Sequence, residues 1–448
     1  MKKYLVLFCA FLISTSLFAQ QKLTLTEAVS IALQRNSNVI KFQNNLEVNK
    51  SNLKSAWGNL LPSLGASGSW GWQRITDIGG TQIDEFGVPR VFGASETESR
   101  DFSLGAGGNV TLFDGLANYA NISGRSDDLE SAKLDFERLK ENTVFQTMEF
   151  YYNVLRQAEL VKVREDNVQF NKKFLEQVQE RNRLGSVAIA DVYSQQVQLG
   201  NAELLLIQQQ NLFENSKSTL LNFLALDVLE DYEFVDPFAE AKELKSDSFQ
   251  SQFGDITSLV SEALTNRKDY QSQKYSLQSA ESGVSAAFGG VLPSLTGNYG
   301  FSTRATEPGN LFDRKAYSLG LTLSLPIFSN FNTENRIQIA EVSAKNVEED
   351  LTALERQIKV EVKQGYQDFQ AAKKGLDVAT KNLTSAEENR RINYERYNLG
   401  SGTILDVLQA DRDYSVAISN KIDATFEFYR LKDRLVNYLG KLNYKDFE

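Results

Sequence analysis

Leu61-Pro62-Ser63-Leu64 returns as Leu292-Pro293-Ser294-Leu295, 231 positions later, and after each copy apolar and polar residues alternate one by one. At the same offset Val29-Ser30 and Ala32-Leu33 return as Val260-Ser261 and Ala263-Leu264. Downstream the offset drops to 215, pairing Ser103-Leu104-Gly105 with Ser318-Leu319-Gly320, then Gly185 with Gly400 and Asn222 with Asn437. The chain is therefore one unit written twice, the first copy longer by a 16-residue insertion. Such a duplication fixes the architecture before any single element is considered.

Four stretches have a period of two. Leu64, Ala66, Gly68, Trp70 and Trp72 oppose Ser63, Gly65, Ser67, Ser69, Gly71 and Gln73. Phe102, Leu104, Ala106, Gly108, Val110 and Leu112 oppose Ser103, Gly105, Gly107, Asn109 and Thr111. The second copy sets Leu295, Tyr299 and Phe301 against Ser294, Thr296, Asn298 and Ser302, then Tyr317, Leu319, Leu321, Leu323 and Leu325 against Ser318, Gly320, Thr322 and Ser324. Alternation over roughly 9 to 11 residues, one face apolar and the other small or hydroxylic, is the pattern of a membrane-spanning strand. Strands are expected at about 63–73, 102–113, 294–304 and 316–326, with Trp70, Trp72, Tyr299 and Tyr317 at the interfacial belts. The connections between them, about Arg74 to Asp101 and Thr303 to Lys315, read as outer loops.

Four strands do not close a barrel, since the smallest need about eight. Open edges in hydrocarbon would leave backbone groups unpaired at several kcal/mol each. Copies of the same chain must complete the barrel.

Most of the remainder is helical in period. From Ala340 the series Ala344, Val347, Leu351, Leu354, Ile358, Val362, Gly365, Phe369, Ala372, Leu376, Ala379, Leu383 and Ala386 steps by threes and fours, a coiled-coil seam with a local stutter at Ile358 and Val362. Long helices are expected at about 114–182 and 329–397, returning ones at 188–226 and 403–440, and ascending ones at 25–60 and 256–291. Residues 227–255 break the repeat, with an acid excess and Tyr232-Glu233-Phe234-Val235 as a short strand, and read as a linker around the helices. The domain plan is a leader at 1–19, a first repeat at 20–226, an acidic linker at 227–255 and a second repeat at 256–448.

Met1-Lys2-Lys3 and an apolar run from Tyr4 to Phe18 ending at Ala19, followed by the polar Gln20-Gln21, read as a secretory signal peptide at 1–19. Its removal deletes two lysines and takes the net charge from −10 to −12, a poor match for nucleic acid. Beyond it no apolar run approaches the ~20 residues of a transmembrane helix. The single Cys, Cys9, lies in the leader, and the chain has no His, so imidazole metal sites and the common nucleophile–base pairs are absent. An enzyme is not expected, nor a cofactor; the acid runs Glu348-Glu349-Asp350 and Glu387-Glu388 read as solvated helix faces. Only Met148 remains of the Met and His residues that a copper or silver path would use.

Taken in order, Leu25-Thr26-Glu27-Ala28 with Ala32-Leu33 and Asn36, the two Leu-Pro-Ser-Leu copies, Leu112-Phe113-Asp114-Gly115, Leu325-Pro326-Ile327-Phe328 and Arg396-Tyr397-Asn398-Leu399-Gly400 running to Asp406-Val407 resemble the TolC-like outer-membrane efflux proteins. The resemblance implies a mainly α fold with membrane β: duplicated long antiparallel coiled-coil helices plus four strands per chain. It implies a homotrimer closing a 12-stranded outer-membrane barrel above a periplasmic α-helical barrel, met from below by a periplasmic adaptor protein and an inner-membrane pump. Export through the duct would be passive, as efflux or type I secretion.

Glu180-Arg181-Asn182-Arg183-Leu184-Gly185-Ser186 to Asp191-Val192 matches Glu395-Arg396-Tyr397-Asn398-Leu399-Gly400-Ser401 to Asp406-Val407, two helical hairpins turning at glycines suited to a left-handed terminus. The resemblance places both at the periplasmic tip. There Asp406 would narrow the pore, with Gln409 one turn beyond it, while Asp191, Arg396 and Tyr397 latch neighbouring helices. Leu184, Gly185 and Ser186, with Leu399, Gly400 and Ser401, would be the exposed turns for adaptor docking. A plainer role for Asp406 is a capping box with Thr403, and Ala188 denies Asp191 the same device. The family pattern has an Arg at the position of Gly402 and an acid at that of Gln409, so a looser gate leaning on Tyr397 hydrogen bonds is expected. The alternative is a trimeric coiled-coil structural or adhesive protein with a barrel anchor.

Overall fold

The computed structural model describes residues 21–237 and 255–447. The leader at 1–19 and most of the linker, 238–254, lie outside the described residues. The chain divides into two compact units that cut across the repeats. One gathers the chain up to Phe42, Phe136–Arg267 and the chain from Gln357; the other holds Gln43–Asp135 and Lys268–Arg356.

In the second unit, β2 (Gly65–Asp77), β5 (Ser95–Phe113), β7 (Ser294–Ala305) and β8 (Lys315–Ser324) form an antiparallel sheet in the order β2-β5-β7-β8. Its apolar residues share one face, because directly opposed residues on antiparallel strands point the same way: Trp70 faces Phe102, Ala106 faces Phe301 and Tyr299 faces Leu319. Both end strands, β2 and β8, carry an unpaired edge within the chain. The pairing keeps the duplication: moving Ser67 by 231 and its partner Gly105 by 215 gives Asn298 and Gly320, which are themselves partners.

The first connection differs from the loop expected at 74–101. β2 and β5 remain paired to Asp77 and Ser95, and a second hairpin, β3 (Gly80–Ile83) with β4 (Pro89–Phe92), fills the gap. Asp84 closes its turn, one carboxylate oxygen accepting from the amides of Phe86 at 3.1 Å and Val88 at 2.9 Å. The ladder is carried past the alternating core by Arg74 paired with Glu96 and by Trp72 Nε1 donating to Glu98 at 2.6 Å.

The helices are α1 (Leu25–Arg35), α2 (Ser37–Gly58), α3 (Ala117–Arg183), α4 (Ile189–Phe223), α5 (Ile256–Asn266), α6 (Lys268–Phe288), α7 (Asn332–Asn398) and α8 (Ile404–Tyr438). α3 and α7 are 67 residues each, about 100 Å at 1.5 Å per residue. The ascending helices expected as single pieces are each interrupted, at Asn36 and at its repeat counterpart Arg267. Asn36 leaves helical geometry with ψ 128°, accepts from the Asn38 amide and donates to the Phe223 carbonyl, both at 2.9 Å. Arg267 has ψ 122° and spends its guanidinium on Glu361 at 2.5 Å.

Positive φ angles mark the same places in both copies. Gly115 and Leu116 (69° and 68°) correspond to Asn330 and Phe331 (50° and 62°) where strand turns into helix. Gly185 and Gly400 (74° and 75°) correspond at the hairpin tips, and Ala225 and Gly440 (53° and 64°) at the far ends of α4 and α8. Holding a non-glycine residue there costs on the order of 1–2 kcal/mol, so Leu116 and Phe331 are strained joints rather than slack ones.

In the first unit β1 (Gln21–Leu23) pairs in parallel with β6 (Tyr232–Phe234). The buried Tyr151 hydroxyl lies 2.7 Å from the carbonyls of Leu23 and Val235, pinning that ribbon to α3. Val29, Leu33, Val144, Leu442 and Tyr444 form an apolar cluster in the same unit.

Candidate functional site

The two hairpin tips belong to the first unit, and each turn is built from backbone hydrogen bonds. Ser186 N donates to Arg181 O at 2.8 Å and Gly185 N to Asn182 O at 2.9 Å; Ser401 N donates to Arg396 O at 2.9 Å and Gly400 N to Tyr397 O at 3.1 Å. This is the double bond that closes a helix on a left-handed glycine. Leu184 and Leu399 project into solvent, 64% and 84% exposed, and Gly185, Ser186, Gly400 and Ser401 are exposed beside them.

Above the turns a small apolar core ties the hairpins together: Phe174, Val178, Val192, Tyr397, Ile404, Val407 and Leu408. Phe174 meets Tyr397 edge to face at 5.5 Å between centroids. Each buried aromatic of this kind is worth roughly 1.5–3 kcal/mol. Within the single chain the Tyr397 hydroxyl is buried without a hydrogen-bond partner. Burial raises its pKa despite the nearby cationic Arg181.

Arg181, which the sequence did not single out, links the hairpins. Its guanidinium lies 4.7 Å from the Tyr397 ring centroid and donates to the carbonyls of Tyr397 at 3.1 Å and Asn398 at 2.9 Å. Gln177 adds a bond from Nε2 to Asn398 Oδ1 at 2.8 Å and accepts from the Tyr394 hydroxyl at 2.9 Å. Arg396, the repeat counterpart of Arg181, instead folds back on its own turn, with Nη2 3.5 Å from Ser401 O. The repeat equates the two arginines, and only the pairing of hairpins in space separates them.

Asp406 sits in the expected capping box: its carboxylate accepts from Thr403 N at 3.0 Å and Thr403 Oγ1 at 2.9 Å, while Asp406 N donates to Thr403 Oγ1 at 3.2 Å. Those bonds to Thr403, backbone first, hold its pKa below the ordinary carboxylate value. Ala188 gives Asp191 no side-chain cap. On α8 Gln409 Nε2 donates to Asp413 Oδ1 at 2.8 Å, so Asp406, Gln409 and Asp413 form an exposed polar stripe, of which sequence reasoning missed Asp413.

Further from the turns a buried polar layer joins all four helices. Arg390 lies between the rings of Phe170 and Tyr414, 4.1 and 4.5 Å away. Its Nη2 is 2.8 Å from Asp411 Oδ1, an ion pair inside the layer. Asn167 Nδ2 donates to Asp411 Oδ2 at 3.0 Å, and Gln195 Nε2 reaches Asn171 Oδ1 at 3.0 Å. Burial raises the Asp411 pKa against the pull of Arg390.

Among the described residues no group of three or more His, Cys, Asp or Glu is placed to hold a metal, and no helix is long and apolar enough to cross a membrane. The sheet, with one apolar face and two open edges, is the part of the chain suited to hydrocarbon. Against known proteins, the model of the outer membrane efflux protein family matches residues 28–225 and 259–441. The chain belongs to that family. It is an outer-membrane efflux channel extending into the periplasm, and family membership marks it as a duct rather than an enzyme. It is 22% identical over 336 residues to the outer membrane protein TolC of Vibrio cholerae, covering 74% of this chain and 75% of that one. It is 24% identical over 340 residues to the pyoverdine export outer membrane protein OpmQ of Pseudomonas putida, covering 75% and 68%. The crystal structure of the outer membrane protein VceC of Vibrio cholerae superposes with a TM-score of 0.77 at 16% identity, covering 93% of this chain and 96% of that one.

Proposed function

We propose that three copies of this chain assemble into the exit duct of a tripartite efflux or type I secretion system, with the two hairpin tips as its periplasmic gate and docking end. The open-edged four-stranded sheet carries the reading. Its edges demand partners in hydrocarbon, and three copies supply twelve strands. An inner-membrane pump supplies the energy and a periplasmic adaptor joins it to the exposed turns at Leu184-Gly185-Ser186 and Leu399-Gly400-Ser401. Movement through the duct is diffusive.

Asp406, Gln409 and Asp413 line the narrow end, where an acid stripe repeated three times favours cations and repels anions. Arg181 takes the latching role expected of Arg396, and Tyr397 acts as the ring on which it rests. Asp191 faces the same latch from α4. The test is a strain lacking this gene, complemented with the full chain and challenged with a panel of toxic compounds, alongside conductance of the purified protein in planar bilayers. Restored resistance with an ion-conducting pore supports the reading; a non-conducting protein refutes it.

A further inference from the structure

The registers inside one chain determine the register between chains. β2 with β5 is one repeat's strand pair and β7 with β8 the other's, and their pairings superpose when each strand is moved by its own offset, as Ser67–Gly105 maps onto Asn298–Gly320. The pairing of β5 with β7 is thus the chain's own example of how one repeat's second strand meets the next repeat's first. At the edge of the chain, β8 stands where β5 stands, and the β2 of a neighbouring copy stands where β7 stands.

Resting on the trimer reading above, we infer that β8 of each copy pairs antiparallel with β2 of the next so that Thr322 lies opposite Ser69. This is the image of the observed pair Gly107–Gly300. In the same register Leu319 meets Trp72 of the next copy and Leu321 meets its Trp70, as Leu104 meets Thr303 and Ala106 meets Phe301 inside the chain. Ser324 meets Ser67, the image of Asn109–Asn298.

Three features fit this register. First, it keeps faces matched: the apolar Leu319 and Leu321 meet Trp72 and Trp70 on one side, while Thr322 and Ser324 meet Ser69 and Ser67 on the other, as opposed antiparallel residues must. Second, it continues the stagger of the chain. The row Gly65–Gly107–Gly300–Ser318 starts at the first residue of β2 and reaches β8 six residues short of its last, Ser324. Two residues per strand pairing brings the next step to Gln73, the residue the pseudo-symmetry sets opposite Ser318. Third, the residues concerned keep uncovered apolar surface within the chain: Trp70, Trp72, Leu319 and Leu321 are 64%, 50%, 88% and 70% exposed. Eight residues over four spacings of ~4.8 Å incline the strands by about 55°, steeper than the ~35–45° usual in such barrels.

Cysteine pairing tests the register, and the singly substituted chains serve as blanks because Cys9 is the only native cysteine. Directly opposed residues come within reach of a disulfide, whereas partners shifted by two along the strand, ~7–8 Å apart, do not. The full-length Thr322→Cys, Ser69→Cys chain, oxidised in detergent, is expected to run as covalent dimer and trimer bands that reductant collapses. Thr322→Cys with Ser67→Cys, or with Gly71→Cys, is expected to stay monomeric on the same gel. Ser324→Cys with Ser67→Cys gives a second, independent pair on the predicted register. Bonding to position 67 or 71 in place of 69, or no bond in any pair from a particle that native mass shows to be trimeric, overturns the register and leaves the trimer standing. A monomeric particle overturns the trimer itself.

Discussion

The Arg181 guanidinium rests 4.7 Å from the centroid of the Tyr397 ring and donates to the carbonyl of that same residue at 3.1 Å. One arginine thus donates to two of the last carbonyls of α7 while covering a buried aromatic, and it arrives from the other hairpin. Planar, forked donors suit this double task and a lysine does not.

Arg181→Ala is therefore expected to raise single-channel conductance in planar bilayers several-fold, and Arg181→Lys to raise it by less, because a point charge keeps attraction to the carbonyls but loses the fork. Arg396→Ala, which removes a long contact to its own turn and a weak attraction to Asp406 but no bond between hairpins, should change conductance less. Equal effects of the two alanine variants would contradict the assignment of the latch.

Asp406 predicts a pH dependence. Its folded pKa is depressed by Thr403, so its charge is fully present above the ordinary value of 3.8 and is lost only as pH falls through a lower one. Block of the channel by multivalent cations should be the same at pH 7 and pH 5, persist at pH 3.8 and be lost only at still lower pH. Asp406→Asn should weaken block at pH 5 and above, leaving only the part that Asp413 carries. A block that fades between pH 7 and pH 5 would mean another group carries the charge.

Thr403→Ala separates capping from pore charge. Loss of an N-cap costs about 1 kcal/mol, so the amides of Ile404 to Asp406 should exchange hydrogen roughly fivefold faster while cation block at pH 7 persists. Unchanged exchange would show that the cap does not hold this end of α8.

The buried layer gives a stability prediction. Arg390→Ala leaves the buried Asp411 carboxyl with no countercharge and should lower unfolding free energy by ~3 kcal/mol in urea titration. The double variant Arg390→Met, Asp411→Leu should recover most of that loss, since apolar groups of similar size replace the pair. A double variant as unstable as the single one would show that the layer holds the helices by more than charge neutrality.

Much of this fold was legible because duplication and period are properties of the chain. Strand alternation from Leu64 to Trp72 and the seam from Ala340 to Ala386 appear as read, and Tyr232–Phe234 forms the short strand expected in the linker. What escaped depends on tertiary partners. Asn36 interrupts a helix because Phe223 offers it a carbonyl 187 residues away, and no local signal announces that. The hairpin at Gly80–Phe92 escaped because Asp84-Glu85-Phe86-Gly87 was read only as part of a long loop. Arg181 was passed over in favour of Arg396 because the repeat makes them equivalent, and the difference lies in which hairpin each faces.

A single chain owns too few strands to seal itself. Native mass spectrometry of the detergent-extracted protein tests it most directly: three chains per particle, lost only on denaturation, is the predicted result. A stable single chain, soluble without detergent, would contradict it.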